Sequence, residues 1–266
     1  MPDTSFALTS EQISSFVDDG FVRLDNAFPR ELADAGRAIL WRDTGCDPDD
    51  RSTWTRPVIR LGGYSERPFR EAANTPRLHA AYDQLVGKKN WVEPQGLGTF
   101  PIRFPSQESA GDDGWHIDVS FMLPTDDSSD FFNARANVTS KGRALLMLFL
   151  FSDVGENDAP TRIRMGSHLE VARYLAVHGE NGRTLHDFIA DRPDWFDTGR
   201  EALATGPAGT VYLCHPFLVH AAQRNLGQQV KFMAQPPLFP AKPMQIRRPD
   251  GRYSPVELAI RLALDG

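Results

Sequence analysis

Short β-prone runs, each bounded by glycine or proline, fill the chain from about residue 90 onward. The runs 98–104, 144–151 and 209–215 are rich in branched and aromatic side chains, and turn-forming residues lie between them. Many short strands at this spacing restrict the fold to a β-sandwich or a β-barrel. The run 144–151, ALLMLFLF, is too short to cross a bilayer and is typical of a central buried strand.

Helical patterns precede, interrupt and follow this β-rich part. Thr9 and Gln12 have capping-box spacing in front of an apolar stripe, which predicts a first helix. Ser167 and Glu170 have the same spacing and predict Ser167 as the N-cap of an inserted helix. The segment 254–265, with serine followed by proline, predicts a closing helix.

Composition narrows the classes of partner and compartment. Over 266 residues the formal net charge is −6 and the basic residues are dispersed, which argues against binding to nucleic acid. Hydrophobic residues make up 41% of the chain, enough for a large core, and no run is long enough for a membrane span. Cys46 and Cys214 are distant in sequence, and the start of the chain resembles no signal peptide. We therefore expect a cytoplasmic protein.

The segment GWHIDVSF, residues 114–121, is the first chemical signal. In an extended strand, His116 and Asp118 point to the same face because side chains alternate. An exposed polar pair would also have this spacing, so the motif alone indicates a metal site only weakly.

A second segment, GTVYLCHPFLVHAAQRN at 209–225, contains His215 and His220. Either histidine could complete a set of two histidines and one carboxylate with His116 and Asp118. Such a set binds Fe(II) in non-haem oxygenases and leaves coordination positions open for a cosubstrate and O₂.

The joint order of several motifs resembles the phytanoyl-CoA dioxygenase family of Fe(II)/2-oxoglutarate oxygenases. The motifs are LTSEQISSFVDDGFVRLDNAF, WHIDVSF, LFLFSDVGENDAPTRIRMGSH and CHPFLVHAAQRN, which together extend over most of the chain. The family's distal metal histidine is followed five positions later by asparagine, and His220 with Asn225 has that spacing whereas His215 does not. The resemblance therefore implies His116, Asp118 and His220 as the metal ligands and catalytic residues.

The resemblance also implies a mainly β fold with flanking helices around a double-stranded β-helix, or jelly-roll, core. We expect a single domain over 1–266, with a mostly helical part at 1–89 and the jelly roll at 90–240. A helical insertion is expected near 167–190, and a C-terminal helix at 254–265.

For the cosubstrate 2-oxoglutarate, the family places a basic residue, usually arginine, eleven positions after the distal histidine. Here that position holds Lys231, which supplies a charge without the fork of arginine. Ala222 replaces a serine that is common in the family. Arg103 and Thr161 are further candidates for contact with the cosubstrate.

The activity implied is hydroxylation of an unactivated C–H bond in a small organic substrate, with succinate and CO₂ as co-products. Related halogenases replace the carboxylate ligand, so the presence of Asp118 favours hydroxylation. Two alternatives stay open: a cupin-type metal enzyme without 2-oxoglutarate, and a degraded relative that only binds a small molecule. Trp54, Arg60 and Trp115 are candidate substrate contacts, while the substrate itself and the oligomeric state are not indicated.

Overall fold

The computed structural model describes residues 6–191 and 198–266, so residues 1–5 of the expected N-terminal part lie outside it. The helices are α1 Ser10–Asp19, α2 Arg30–Thr44, α3 Arg67–Ala73, α4 Pro76–Leu85, α5 Ser167–Ala176, α6 Leu185–Asp191 and α7 Pro255–Asp265. The strands are β1 Phe21–Leu24, β2 Val58–Leu61, β3 Phe100–Arg103, β4 Arg135–Ala136, β5 Leu145–Leu150, β6 Arg162–Arg164, β7 Arg183–Thr184, β8 Glu201–Leu203, β9 Val211–Cys214, β10 His220–Ala221, β11 Met233–Ala234 and β12 Pro237–Leu238. No helix in these two ranges is both long and apolar enough to cross a membrane.

All strand pairs in the described residues are antiparallel. The largest sheet has the order β1-β9-β5-β11, and β12 also pairs with β5. A second sheet has the order β10-β6-β8, and two further pairs join β2 to β3 and β4 to β7. Connections between strands that are distant in sequence bring the 116, 220 and 231 regions near one another.

The strand β5 is buried on both faces, which explains its unbroken apolar sequence. Met147 and Phe149 belong to the core that packs against the helices. Leu146 and Leu148 face the other way, into a second cluster that includes Ile163 of β6. This second cluster fills the space between the two larger sheets.

Two of the predicted helix caps are confirmed. Thr9 and Gln12 form a reciprocal capping box at the start of α1, with the Gln12 amide N–H 3.2 Å from the Thr9 hydroxyl. Ser254 and Glu257 form the same arrangement at the start of α7. Each box supplies side-chain oxygens that accept backbone N–H groups left unpaired at the start of the helix.

The prediction that Ser167 caps α5 is wrong. Gly166 is the N-cap, in the left-handed conformation with φ 77°, and it offers no side chain. The Ser167 hydroxyl instead accepts the N–H of Val219 at 2.9 Å. Ser167 therefore ties α5 to the residue that precedes His220.

The expectation of a mainly β chain is only partly met, because about 30% of the residues are helical and about 20% are in strands. The segment 114–121 contributes to this difference. It forms only isolated bridges, at His116 with His220 and at Phe121 with Arg135, and not a continuous strand. Antiparallel sheets flanked by helices are the accurate description.

Candidate metal centre

His116 and His220 face each other across a two-residue backbone bridge. The N–H of His116 donates to the His220 carbonyl at 3.0 Å, and the N–H of His220 donates to the His116 carbonyl at 2.9 Å. Residues directly opposite in an antiparallel pair place their side chains on the same face. The two imidazole rings accordingly lie in contact, with centroids 4.4 Å apart.

Asp118 joins the two imidazoles at the same place. One ligand atom from each of His116, Asp118 and His220 lies within 4.8 Å of the other two. Asp118 Oδ1 is 3.9 Å from His220 Nε2. The structure thus brings together the three residues that the sequence singled out, from segments about a hundred positions apart.

Backbone carbonyls determine which imidazole nitrogen is left to bind a cation. His116 Nδ1 lies 2.9 Å from the Gly114 carbonyl, and His220 Nδ1 lies 3.0 Å from the Leu218 carbonyl. A carbonyl only accepts, so each Nδ1 carries the proton and each Nε2 carries the lone pair. This is the usual arrangement of histidines that ligate a metal, whose second nitrogen is fixed by a hydrogen bond.

The protonation states also suit a divalent cation. Burial alone would raise the pKa of Asp118, but Arg143, His220 and His116 together hold that pKa below its usual range. Burial, with His116 next to it, lowers the pKa of His220 to about 4. At neutral pH the site therefore offers an ionised carboxylate and a neutral buried imidazole, as metal ligation requires.

Gln235, which the sequence analysis did not single out, also reaches the candidate centre. Its side-chain nitrogen lies 3.0 Å from His220 Nε2 and donates to that lone pair. Lys231, Met233 and Gln235 follow one another at every second position. This alternation, which directs all three to one face of an extended segment, is the signal that could have found Gln235.

A buried basic cluster lies further along the same segment. Arg103 and Lys231 form a backbone bridge, with N···O distances of 3.1 and 2.9 Å, so their side chains share a face. Only 4% of Arg103 and 1% of Lys231 is exposed. Asp112 binds Arg103 at 2.5 Å and also pairs with Arg60.

Lys231 itself has no carboxylate partner among the ion pairs of the described residues. Its ammonium donates to the Ala159 carbonyl at 2.5 Å. Burial and the nearby Arg103 charge lower the pKa of Lys231 to about 7, although Asp112 opposes the shift. A buried ammonium in this state would gain from an anion that another molecule supplies.

Two other predicted positions have plain structural contacts. Thr161 is 3% exposed, and its hydroxyl donates to the sulfur of Met233, a member of the second core cluster, at 3.5 Å. The Asn225 amide donates to the carbonyls of Arg103 and Gln229 at 3.0 and 2.7 Å. Asn225 therefore fastens the chain after β10 to the end of β3.

The candidate substrate contacts lie in different surroundings. Trp54 packs against Trp41 and donates from its ring nitrogen to the Asp47 carbonyl at 2.8 Å. Trp115 lies under the guanidinium groups of Arg162 and Arg164, at 4.4 and 4.2 Å from its ring centroid. Neither tryptophan contacts the three candidate ligands through any of these interactions.

Two facing antiparallel sheets with two histidines and one carboxylate together are typical of non-haem Fe(II) oxygenases. The sequence comparison agrees: residues 16–233 match the phytanoyl-CoA dioxygenase (PhyH) family, and the chain belongs to this family. Enzymes of the family depend on Fe(II) and 2-oxoglutarate. No curated protein matches the chain in sequence.

Solved structures share the fold at low sequence identity. HygX from Streptomyces hygroscopicus, with nickel and 2-oxoglutarate bound, is 20% identical over 86% of each chain, with a TM-score of 0.54. SnoK, a carbocyclase of nogalamycin biosynthesis, is 16% identical over 92% of this chain and 88% of its own, with a TM-score of 0.56. SnoN, an epimerase of the same biosynthesis, is 16% identical over 91% and 86%, with a TM-score of 0.57. The chain thus has the fold of 2-oxoglutarate-dependent enzymes, which is a jelly roll.

Proposed function

We propose that this protein is an Fe(II)- and 2-oxoglutarate-dependent hydroxylase of a small organic substrate, with succinate and CO₂ as co-products. The observation that carries the proposal is the convergence of His116, Asp118 and His220, whose ligand atoms lie within 4.8 Å of one another. Family membership supports the same cofactors.

The donor set fits iron. His116 and His220 would bind through their Nε2 lone pairs, because each Nδ1 proton is already donated to a carbonyl. Asp118 would supply the charged oxygen. When bound, Fe(II) would activate O₂, which is the oxidant, and 2-oxoglutarate would supply two electrons as it becomes succinate and CO₂, so that one oxygen atom goes to succinate and the other to a C–H bond of the substrate.

The chain's other residues would bind and orient the cosubstrate. Lys231 is buried and has no carboxylate partner among the described residues, and the far carboxylate of 2-oxoglutarate would provide one. Arg103, on the same face, adds positive charge, and Thr161 is the third proposed contact. The ammonium of Lys231 binds as a point charge and not as a fork, so we expect weaker orientation of the carboxylate than arginine would provide.

Hydroxylation is the outcome we propose because Asp118 is retained in the ligand set. The fold alone permits other outcomes, since SnoK is a carbocyclase and SnoN an epimerase.

A structure of HygX holds hygromycin B, which is a small molecule, and we propose that the partner of this protein is likewise a small molecule. We further propose one cytoplasmic domain over 1–266, which the shared core of helical Phe16 and strand residue Phe149 supports.

The test is succinate formation from 2-oxoglutarate by the iron-loaded protein in air, screened against a library of small molecules. We expect succinate to rise with one substrate class, whose product gains one oxygen atom. Asp118→Ala should abolish the signal, whereas His186→Ala should keep it. His186 is a matched control because it is an exposed histidine 2.8 Å from a carboxylate, that of Asp130. Iron binding with turnover that does not depend on 2-oxoglutarate would favour a cupin-type enzyme. A folded protein that takes up no iron would favour a degraded relative that only binds a small molecule.

A further inference from the structure

Arg143 lies beside the candidate metal centre without a complete set of partners. Its Nη1 is 3.0 Å from Asp118 Oδ2, and 11% of its side chain is exposed. Its Nε and Nη1 are buried, yet neither has an aligned hydrogen bond to any described residue. The contact with Asp118 is thus one of charge, and it leaves N–H donors of the guanidinium unused.

The local structure holds Arg143 in this position. Gly142 has φ +89°, and a Cβ there would lie 2.8 Å from the carbonyl oxygen of Ser120. The Ser120 hydroxyl donates to the Lys141 carbonyl at 2.5 Å. The turn before β5 is therefore fastened to the chain two residues after Asp118. This attachment holds the backbone of Arg143 close to the candidate metal centre.

Buried N–H groups without an acceptor are rare in folded proteins and cost free energy. An acceptor that arrives with a ligand would remove that cost. Asp118 already contacts the guanidinium, so a ligand bound next to Asp118 would be in place to supply a further acceptor.

We propose that Arg143 is an anion-binding residue at the metal end of the site, and that its unused donors take an oxygen of the carboxylate next to the keto group of a bound 2-oxo acid. This inference rests on the proposed function. It provides a cation at each end of a dicarboxylate cosubstrate, with Arg143 at the near carboxylate and Lys231 at the far one. A charge-assisted hydrogen bond of this kind would satisfy the buried donors of Arg143.

The test compares two 2-oxo acids bound to the iron-loaded protein without oxygen. Pyruvate has only the near carboxylate, and 2-oxoglutarate has both. The visible absorption that develops when a 2-oxo acid chelates Fe(II) reports binding without turnover. We expect R143Q to weaken both acids by about 10- to 100-fold, whereas K231M should weaken 2-oxoglutarate and leave pyruvate unchanged.

Arg30→Gln is the matched control, because Arg30 is also paired with a carboxylate, that of Asp153 at 2.8 Å, but at the surface. It should bind both acids as the unaltered protein does. Iron affinity is measured first for every variant. Should R143Q lose iron, R143K decides: normal iron affinity with weakened pyruvate binding supports the assignment.

Unchanged pyruvate binding in R143Q, or in an iron-loaded R143K where R143Q holds no iron, overturns the inference. If R143Q weakened binding of the organic substrate but not of either 2-oxo acid, the inference would be overturned as well, because the donors of Arg143 would then bind a different group. If the unaltered protein binds iron but neither 2-oxo acid, the proposed function itself fails, and that result is recognised before any variant is compared.

Discussion

Two pairs of histidine rings lie in contact in this protein, with centroids 4.4 Å apart for His116 and His220 and 4.9 Å apart for His168 and His215. In the first pair, both Nδ1 protons go to carbonyls two residues earlier, and one ligand atom of each ring lies within 4.8 Å of a carboxylate oxygen of Asp118. In the second pair, each Nε2 lies beside a helix carbonyl, at 3.0 and 3.2 Å. Contact between two imidazoles therefore does not identify a metal site.

The difference lies in the carboxylate and in the contacts of the ring nitrogens. In the second pair, His168 Nδ1 is buried without a hydrogen-bond partner among the described residues. His215 uses both ring nitrogens, because its Nδ1 also accepts the N–H of Phe217 at 3.2 Å. No carboxylate of the described residues joins the second pair within ion-pair distance. The first pair can donate to a cation, while the second connects β9 and α5 to the helices α7 and α1.

The largest expected effect is the loss of iron from a variant of the first pair. His220→Ala removes a nitrogen ligand and should weaken Fe(II) binding by more than about 100-fold, since altering even a group that only orients a ligand typically costs about 10- to 100-fold. Anaerobic titration with Fe(II) would measure the change. Succinate formation should disappear in parallel.

His215→Ala is the opposite half of the comparison. It should leave iron affinity close to normal but lower the free energy of unfolding by about 2–3 kcal/mol, because the Val256 carbonyl and the Phe217 amide lose their partner. Urea denaturation would measure this cost. Loss of iron in a folded His215→Ala protein would contradict the division between the two pairs.

The next effect concerns acid stability. Burial lowers the pKa of His168 to about 4, although the Val17 carbonyl and the Asp19 charge oppose the shift. An unfolded chain binds this proton near pH 6.5, so the contribution of His168 to stability is complete above about pH 6.5 and is lost as the pH falls toward the folded value. By about pH 5 the loss should reach about 2 kcal/mol.

His168→Gln tests this, because glutamine keeps a donor for the Val17 carbonyl and has no proton to gain. The unfolding free energy of the variant should fall less than that of the unaltered protein between about pH 7.5 and about pH 5, by about 2 kcal/mol. If the unfolding free energies of the two proteins fell equally with pH, His168 would bind its proton as well in the folded protein as in the unfolded chain.

The three candidate ligands were accessible from sequence because their evidence is local. His116 and Asp118 share a face by alternation, and the resemblance to the family distinguishes His220 from His215, because only His220 has an asparagine, Asn225, five positions later. The bridge between residues 116 and 220 was not accessible, because the pairing of distant segments depends on packing of the whole core. This is also why the expected strand at 114–121 proved to be paired at only two points.

Arg143 and Gln235 were not predicted from the sequence, for a related reason. Arg143 ends a turn whose position depends on contact between Gly142 and Ser120, and no motif marks that contact. Ser167 shows the converse, since capping-box spacing was present but its hydroxyl is taken by the Val219 amide. When a side chain has two possible hydrogen-bond partners, the tertiary structure determines which of them it binds.

The smallest expected effect is a change in iron affinity on removal of a hydrogen bond that competes with the metal for His220. Gln235 donates to the His220 Nε2 lone pair at 3.0 Å, and a cation needs the same lone pair. Gln235→Leu removes the competitor, so Fe(II) should bind more tightly by about 2- to 10-fold, as expected for one hydrogen bond of about 0.5–1.5 kcal/mol. Gln84→Leu is the control, because Gln84 makes two hydrogen bonds to Leu8, far along the chain, and should not alter iron affinity. Weaker iron binding in Gln235→Leu would reverse the interpretation, since it would mean that the amide supports the bound metal and does not merely occupy its place.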